Sequence, residues 1–282
     1  MSSVQINDTL REWRETAQFW AKHHDTIRTM FAPVTRELIE RAQISEGQNV
    51  LDVAGGAGEP SLTIAATVGG KGSVTCTDAV KEMVDAAQAE ALKRGITNVQ
   101  FRQCTADSLP FADESFDVGV SRLGVMFFPE PVESCRELLR VIKRDGILGF
   151  AVWAKSELNP FSYVVTNVMS RHVETPPADP DAPGAFRFAE LGKLAKVMLQ
   201  AGASDIEERV FKFHIEAPIS VTEFWAMRSQ TSETLREKLS RIPESERRQI
   251  DAEVEEAVRE FFPNNQMKFP AQMIIVTGQK GR

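Results

Sequence analysis

A chain of 282 residues, 42% of them hydrophobic, suits one large domain with its own core, or one domain with a sizeable insertion. Its 33 basic against 40 acidic residues give a net charge of −7, which argues against a nucleic-acid partner, and no apolar run approaches the roughly 20 residues of a membrane span. Cys76, Cys104 and Cys135 are too scattered for a disulfide framework or a zinc site, the N-terminus has no signal pattern, and a cytoplasmic location is the expectation.

Residues 1–45 are predicted to form two helices, because Leu10, Trp13, Ala17 and Trp20, then Met30, Val34, Leu38 and Ile39, recur at helical spacing. Pro33 is placed in the first turn of the second helix, where its missing N–H costs little. Phe19, Trp20, His23 and His24 then fall between the helices. Phe19 and Trp20 either pack in the core or cover a ligand pocket. His23 and His24 are either surface and capping residues or candidates for a general base.

A strand at 48–53 runs into the turn Gly55, Gly56, Gly58 and a helix at about 59–68. Strand 73–77 ends at Asp78, and a helix follows at 80–94. Strand 99–103, strand 116–121, helix 131–142 and strand 146–153 complete an alternation that implies a parallel sheet with right-handed crossovers. Beyond Trp153 come a helix at 159–172, a proline-rich loop at 175–184, a helix at 188–201 and a strand with an irregularity at 204–215. Residues 219–262 read as two or three helices, one of them charged, and strand 273–277 follows. That helical block is too long for a loop, so it is an insertion. The expected organisation is a helical cap at 1–45, a core at 46–218 and 263–282, and the insertion at 219–262.

The chemistry gathers where strands end. A strand, a glycine turn and a helix start suit a nucleotide-like ligand, because glycine permits close approach and the helix start offers free N–H groups. Asp52 ahead of Gly56 and Gly58 would repel a pyrophosphate. It favours the sulfonium and ammonium of S-adenosylmethionine through charge-assisted hydrogen bonds, unless it merely caps the helix. Asp78 can accept from both ribose hydroxyls, with Ala79 and Val80 along one adenine face, or it is a helix cap. Asp107 can accept from the adenine amino group while the Ala106 N–H donates to a ring nitrogen, or it is a turn residue. Ser121 to Met126 follow the fourth strand, where open α/β sheets hold ligands. Arg122 either meets a ligand carboxylate or forms a surface ion pair, and Trp153 either walls an acceptor pocket or packs in the core.

The segments LDVAGGAGEP, CTDAVKEM, ADSLPFADESFDVGV and LLRVIKRDGIL resemble the class I S-adenosylmethionine-dependent methyltransferases, nearest to the ubiquinone/menaquinone-biosynthesis and type 11 group. The resemblance covers residues 45–153. It implies a Rossmann-like α/β sheet of seven strands in the order 3-2-1-4-5-7-6, the last strand antiparallel. It implies that Asp52, Ala54, Gly56 and Gly58 hold the methionine end of the cofactor, Asp78, Ala79 and Val80 the nucleoside, Ala106 and Asp107 the adenine, with Ser121 and Arg122 beneath the methyl. Ala54 departs from the usual first glycine, Val80 from a frequent serine, and residues 1–45 lack the signature of a quinone methyltransferase. In-line methyl transfer to a small or medium-sized organic acceptor is expected. His23, His24 and His172 are candidate bases. Trp20, Met126, Trp153 and Trp225 are candidate acceptor contacts, with Phe161, Phe186 and Phe224 as further walls. No metal cluster is expected, and the protein is taken as a monomer or homodimer. The alternatives are an NAD-dependent oxidoreductase and an inactive cofactor-binding protein that acts through partners.

Overall fold

The computed structural model describes residues 3–174 and 179–281. Residues 175–178, the first part of the expected proline-rich loop, lie outside the described residues. Two long helices open the chain, α1 (Ser3–Lys22) and α2 (His24–Arg41). Then come β1 (Asn49–Val53), α3 (Ser61–Val68), β2 (Ser73–Asp78), α4 (Lys81–Lys93), β3 (Val99–Gln103) and β4 (Phe116–Arg122). The chain continues through α5 (Pro131–Val141), β5 (Ile142–Trp153), α6 (Pro160–Met169), α7 (Lys193–Ala201) and β6 (Ala203–Ala217). Three helices, α8 (Val221–Thr231), α9 (Glu233–Ser240) and α10 (Glu244–Val258), separate β6 from β7 (Met267–Lys280).

The seven strands form one sheet in the order β3-β2-β1-β4-β5-β7-β6. The first five are parallel, and β7 runs antiparallel to both β5 and β6. Val50, Leu51, Val74, Val118, Val120, Leu148 and Phe150 are buried, as a sheet covered on both faces requires. Among the described residues no helix is long and apolar enough to cross a membrane.

Four local expectations need correction. Pro33 lies well inside α2 rather than in its first turn. The buried stripe His24, Ile27, Met30, Phe31, Val34, Thr35, Leu38 runs straight through it. Burying three large apolar side chains ahead of the proline, at about 1.5–3 kcal/mol each, outweighs the roughly 3 kcal/mol that an interior proline costs. Phe19 and Trp20 therefore belong to α1 and His24 to α2, and only His23 lies between the helices. The helix expected from 188 begins at Lys193, after Gly192 in the left-handed region (φ 83°). β7 starts at Met267, earlier than expected, because Pro270 reads as a strand breaker. Pairing of β7 with β5 begins only at Met273, so Pro270 sits where one edge is open and a missing N–H costs nothing. The irregularity expected in β6 is real: its register shifts between Ser204 and Glu207, with Asp205 at φ 47°.

Candidate functional site

β1 lies between β2 and β4, and the strand order reverses there, so the carboxyl ends of these strands open a crevice. A cavity of about 240 Å³ occupies it. One part of its wall is the strand ends and turns: Ala54, Gly56, Asp78, Ala79, Val80, Ala106, Asp107, Arg122 and Gly124. The other part is aromatic and apolar: Trp13 and Trp20 from α1, His24, Ile27 and Phe31 from α2, and Phe127 and Phe128 beyond β4. Trp13 packs against Trp20 at 5.9 Å and edge-on against Phe127 at 5.2 Å, which ties the N-terminal helices to the β4 side of the crevice.

Asp78 holds the glycine turn in shape. One of its oxygens accepts the Gly56 N–H at 3.0 Å and the other the Val80 N–H at 2.9 Å. Burial raises its pKa, against the pull of those backbone donors. Asp52 lies one layer behind the cavity wall and does not line it. Its Oδ2 accepts from the Ser61 N–H at 3.1 Å and the Ser61 hydroxyl at 2.6 Å, at the first turn of α3. Its Oδ1 is buried with no partner. Burial pushes its pKa up to about 7, with Ser61 and Arg122 opposing. Asp52 thus caps the first turn of α3 and also keeps one buried oxygen without a partner.

Arg122 is buried, so the surface ion pair is excluded. It donates to the Thr35 hydroxyl at 2.8 Å and to the Glu59 carbonyl at 3.1 Å, joining β4, α2 and the glycine turn. Burial lowers its pKa, while Glu59 and Asp52 support its charge. Glu59 in turn pairs with Arg94 at 2.9 Å.

Ala54 takes a positive φ of 58°, the conformation for which glycine is suited. Gly124 packs so closely that a Cβ there would come within 2.6 Å of the Ala54 Cβ. Ala54→Gly is expected to stabilise the protein by about 1 kcal/mol, the left-handed penalty less the added backbone entropy of glycine. A chemical denaturation midpoint checks this; a lower midpoint would mean that the Ala54 methyl is needed against Gly124.

Several expected site residues lie elsewhere. Gly58 does not line the cavity; its bare Cα lets α3 pack on α4, since a Cβ would meet Leu62 at 2.9 Å and the Ala87 Cα at 3.4 Å. Ser121 and Met126 are buried beside the crevice. Trp153 is a core residue, edge-on to Phe31 and stacked on Phe161. Trp225 is also buried, and its indole N–H donates to Asp251 at 2.6 Å, fastening α8 to α10. Phe161 and Phe224 join Phe262 and Phe269 in an aromatic cluster, and Phe186 packs against the same core. Met126, Trp153, Phe161, Phe186 and Phe224 are apolar enough that burial in the core satisfies them, whereas the Ser121 hydroxyl is buried without a hydrogen-bond partner.

The three candidate histidines separate cleanly. His23 is hydrogen-bonded to Gln230 and His172 to Glu253, both at 2.9 Å. His24 lines the cavity, is buried, and neither ring nitrogen has a hydrogen-bond partner. Its Nδ1 lies 3.6 Å from Glu90, and burial lowers its pKa. His24, Asp25 and Glu90 bring donor atoms within 4.8 Å of one another, but Arg28 and Lys93 already face the two acids. Trp13, Ile27, Phe31 and Phe127 were not foreseen in the wall; the one sequence signal was Trp13 and Trp20 on a shared helix face.

Residues 44–174 match a protein family described as a methyltransferase domain. The uncharacterized methyltransferase YcgJ of Bacillus subtilis is 39% identical over 109 residues, 39% of this chain and 42% of that protein. The ubiquinone/menaquinone biosynthesis C-methyltransferase UbiE of Xylella fastidiosa is 31% identical over 112 residues, 39% of this chain and 44% of that protein. Each match thus spans less than half of the curated relative. The crystal structure of Bacillus subtilis YcgJ has the same fold, with a TM-score of 0.57 at 24% identity, over 88% of this chain and 98% of that one. The motifs, the strand order and these matches agree: residues 44–174 form a methyltransferase domain of the class I S-adenosylmethionine-dependent kind.

Proposed function

We propose that the protein moves a methyl group from S-adenosylmethionine to a small or medium-sized organic acceptor. One observation carries the choice of cofactor. The donors that a pyrophosphate would need, the N–H groups of Gly56 and Ser61, are already accepted by the carboxylates of Asp78 and Asp52. A phosphate would meet two acids there, whereas a cation with a ribose would be welcomed, which disfavours the NAD-dependent alternative. The buried, unpartnered Oδ1 of Asp52 fits an ammonium reached directly or through water.

In this reading Asp78 accepts from the ribose hydroxyls, Ala106 and Asp107 meet the adenine edge, and Ala79 and Val80 its face. Ala54, Gly56 and Arg122 meet the methionine end, with Asp52 behind them. The bound cofactor supplies an electrophilic methyl on a sulfonium sulfur. The protein orients the acceptor against it and keeps water out. The wall of Trp20, Ile27 and Phe31 gives the acceptor an apolar seat, and the helices at 219–262 serve as its lid.

His24 is the base for an acceptor that must lose a proton. Its lowered pKa keeps the ring neutral and able to accept one, with Glu90 behind it. Incubation with methyl-labelled cofactor and a metabolite extract tests the activity and finds the acceptor. With a hydroxyl acceptor at saturating cofactor, His24→Gln is expected to lower kcat by about a hundredfold and abolish the acid limb of the pH profile. An unchanged kcat and profile would remove His24 from the mechanism.

A further inference from the structure

The two N-terminal helices present a single stripe to the cavity. Helical hydrogen bonding runs through their junction, where the His23 N–H donates to the Phe19 carbonyl at 3.0 Å and the His23 carbonyl accepts from the Ile27 N–H at 2.9 Å. Trp13, Trp20, His24, Ile27 and Phe31 recur at helical spacing across it, and all of them line the cavity. Trp13 and Trp20 pack with Val80 and Met83 at the start of α4, and Phe127 stands edge-on to Trp13 at 5.2 Å. The indole of Trp20 and the ring of His24 are one helical turn apart on this stripe. The Trp20 Nε1 and both His24 ring nitrogens are buried, and none has a hydrogen-bond partner. Buried polar atoms are rarely left bare in this way, and a ligand that supplies the partners removes the penalty.

The charged groups that line the same cavity are engaged. Glu59 pairs with Arg94 at 2.9 Å, and Asp78 accepts the Gly56 and Val80 N–H groups. Arg122 donates to Thr35 and to the Glu59 carbonyl, and in the function proposed above its remaining Nε–H meets the methionine carboxylate. Asp107 follows β3 on the strand side, at the adenine edge in that same function. Glu90, behind His24, faces Lys93 at 3.2 Å and does not line the cavity. The helical stripe itself carries no Lys, Arg, Asp or Glu, and burying an unpaired ion against it is strongly unfavourable. Trp13, Trp20 and Phe127 favour a flat ring, which stacks on them or meets them edge-on.

We propose that the cavity takes an uncharged, flat aromatic molecule that bears a hydroxyl group and a second neutral oxygen, an ether or a carbonyl. The hydroxyl donates to a ring nitrogen of His24, the second oxygen accepts from the Trp20 indole N–H, and the ring lies against the aromatic side chains of the stripe. That this molecule is the methyl acceptor rests on the function proposed above; that the cavity binds it does not.

The test uses the full chain at neutral pH, with and without S-adenosylhomocysteine. The probes are 2-naphthol, its methoxy derivatives, the anion 2-naphthoate and the cation 2-naphthylmethylammonium, and the readouts are thermal denaturation and calorimetry. 2-Naphthol is expected to raise Tm and to bind at least about tenfold tighter than either ion. At least one methoxy-2-naphthol is expected to bind about fivefold tighter than 2-naphthol itself. Trp20→Phe, which keeps a ring and removes the N–H, is expected to erase that advantage of the methoxy derivative. His24→Leu is expected to weaken 2-naphthol by about fivefold. The proposal is overturned if either ion shifts Tm as far as 2-naphthol does, if no neutral probe shifts it, if no methoxy derivative gains over 2-naphthol, or if the gain survives Trp20→Phe. A protein that responds to S-adenosylhomocysteine and to no neutral probe would discard this proposal alone. A Trp20-dependent preference for the neutral probes in a protein that ignores S-adenosylhomocysteine would keep the ligand class and discard the methyltransferase reading.

Discussion

Asp78→Ala is expected to weaken S-adenosylhomocysteine binding by a hundredfold or more. The carboxylate has two tasks. It fixes Gly56 and Val80 through their backbone N–H groups, and it is the acceptor at the end of β2 that a ribose diol would use. A hydrogen bond to a charged group is worth about 1.5–3 kcal/mol, so losing two gives about 3–4 kcal/mol, or a factor of a few hundred. Asp78→Asn keeps an acceptor and the shape but not the charge, and an intermediate loss of about tenfold is expected. Calorimetric titration measures both. An Asp78→Ala protein that folds normally and binds within threefold of wild type would show that the nucleoside lies elsewhere.

The second large effect is a proton. Burial holds the Asp52 carboxyl at about 7 instead of the ordinary 3.8. Between those values the folded protein keeps a proton that the unfolded chain has lost. The stabilising contribution is therefore fully present in acid and falls as pH rises from about 3.8 to about 7. The three-unit difference bounds the effect at about 4 kcal/mol. A cationic ligand beside Asp52 reverses the preference, so cofactor binding at pH 6 is expected to release close to one proton, and at pH 8.5 almost none from this group. Affinity should rise with pH up to about 7 and then level. Calorimetry in two buffers of different ionisation enthalpy counts the protons. Asp52→Asn should abolish the release and raise thermal stability at pH 8, where the wild type bears a buried charge. Equal proton counts in wild type and Asp52→Asn would exclude this linkage.

The parts of the fold that were legible in the sequence are those that glycines mark off and whose burial pattern is regular. β1, β2, β3 and α4 fall within a residue or two of expectation: β1 and β2 are buried along most of their length, α4 keeps Met83, Val84, Ala87 and Ala91 on one face before Gly95, and the glycine after Ala54 marks the turn. The acids at strand ends were legible too, since Asp78 and Asp107 do meet at the cavity. The apolar wall was not. A tryptophan facing a cavity and a tryptophan facing the core leave the same helical or strand pattern, so Trp20 proved to be in the wall while Trp153 and Trp225 did not. Likewise a histidine's role depends on partners distant in sequence. Gln230 engages His23 and Glu253 engages His172, and neither pairing leaves a local trace. Asp52 stands ahead of the glycine turn as its position in the sequence requires, but that it lies behind the cavity wall was not legible, because Ser61 draws one of its oxygens toward α3.

The order of the strands has a consequence for how the chain is made. β7 follows the other six strands in chain order, yet it sits inside the sheet, and among the described residues β6 pairs with no other strand. While the three helices between them are being synthesised, β6 carries two open edges and an unsheltered Phe211 and Phe213. The sheet closes only when Met267–Lys280 slides in between β5 and β6, so this half of the molecule waits on a long-range strand insertion and is completed late in folding.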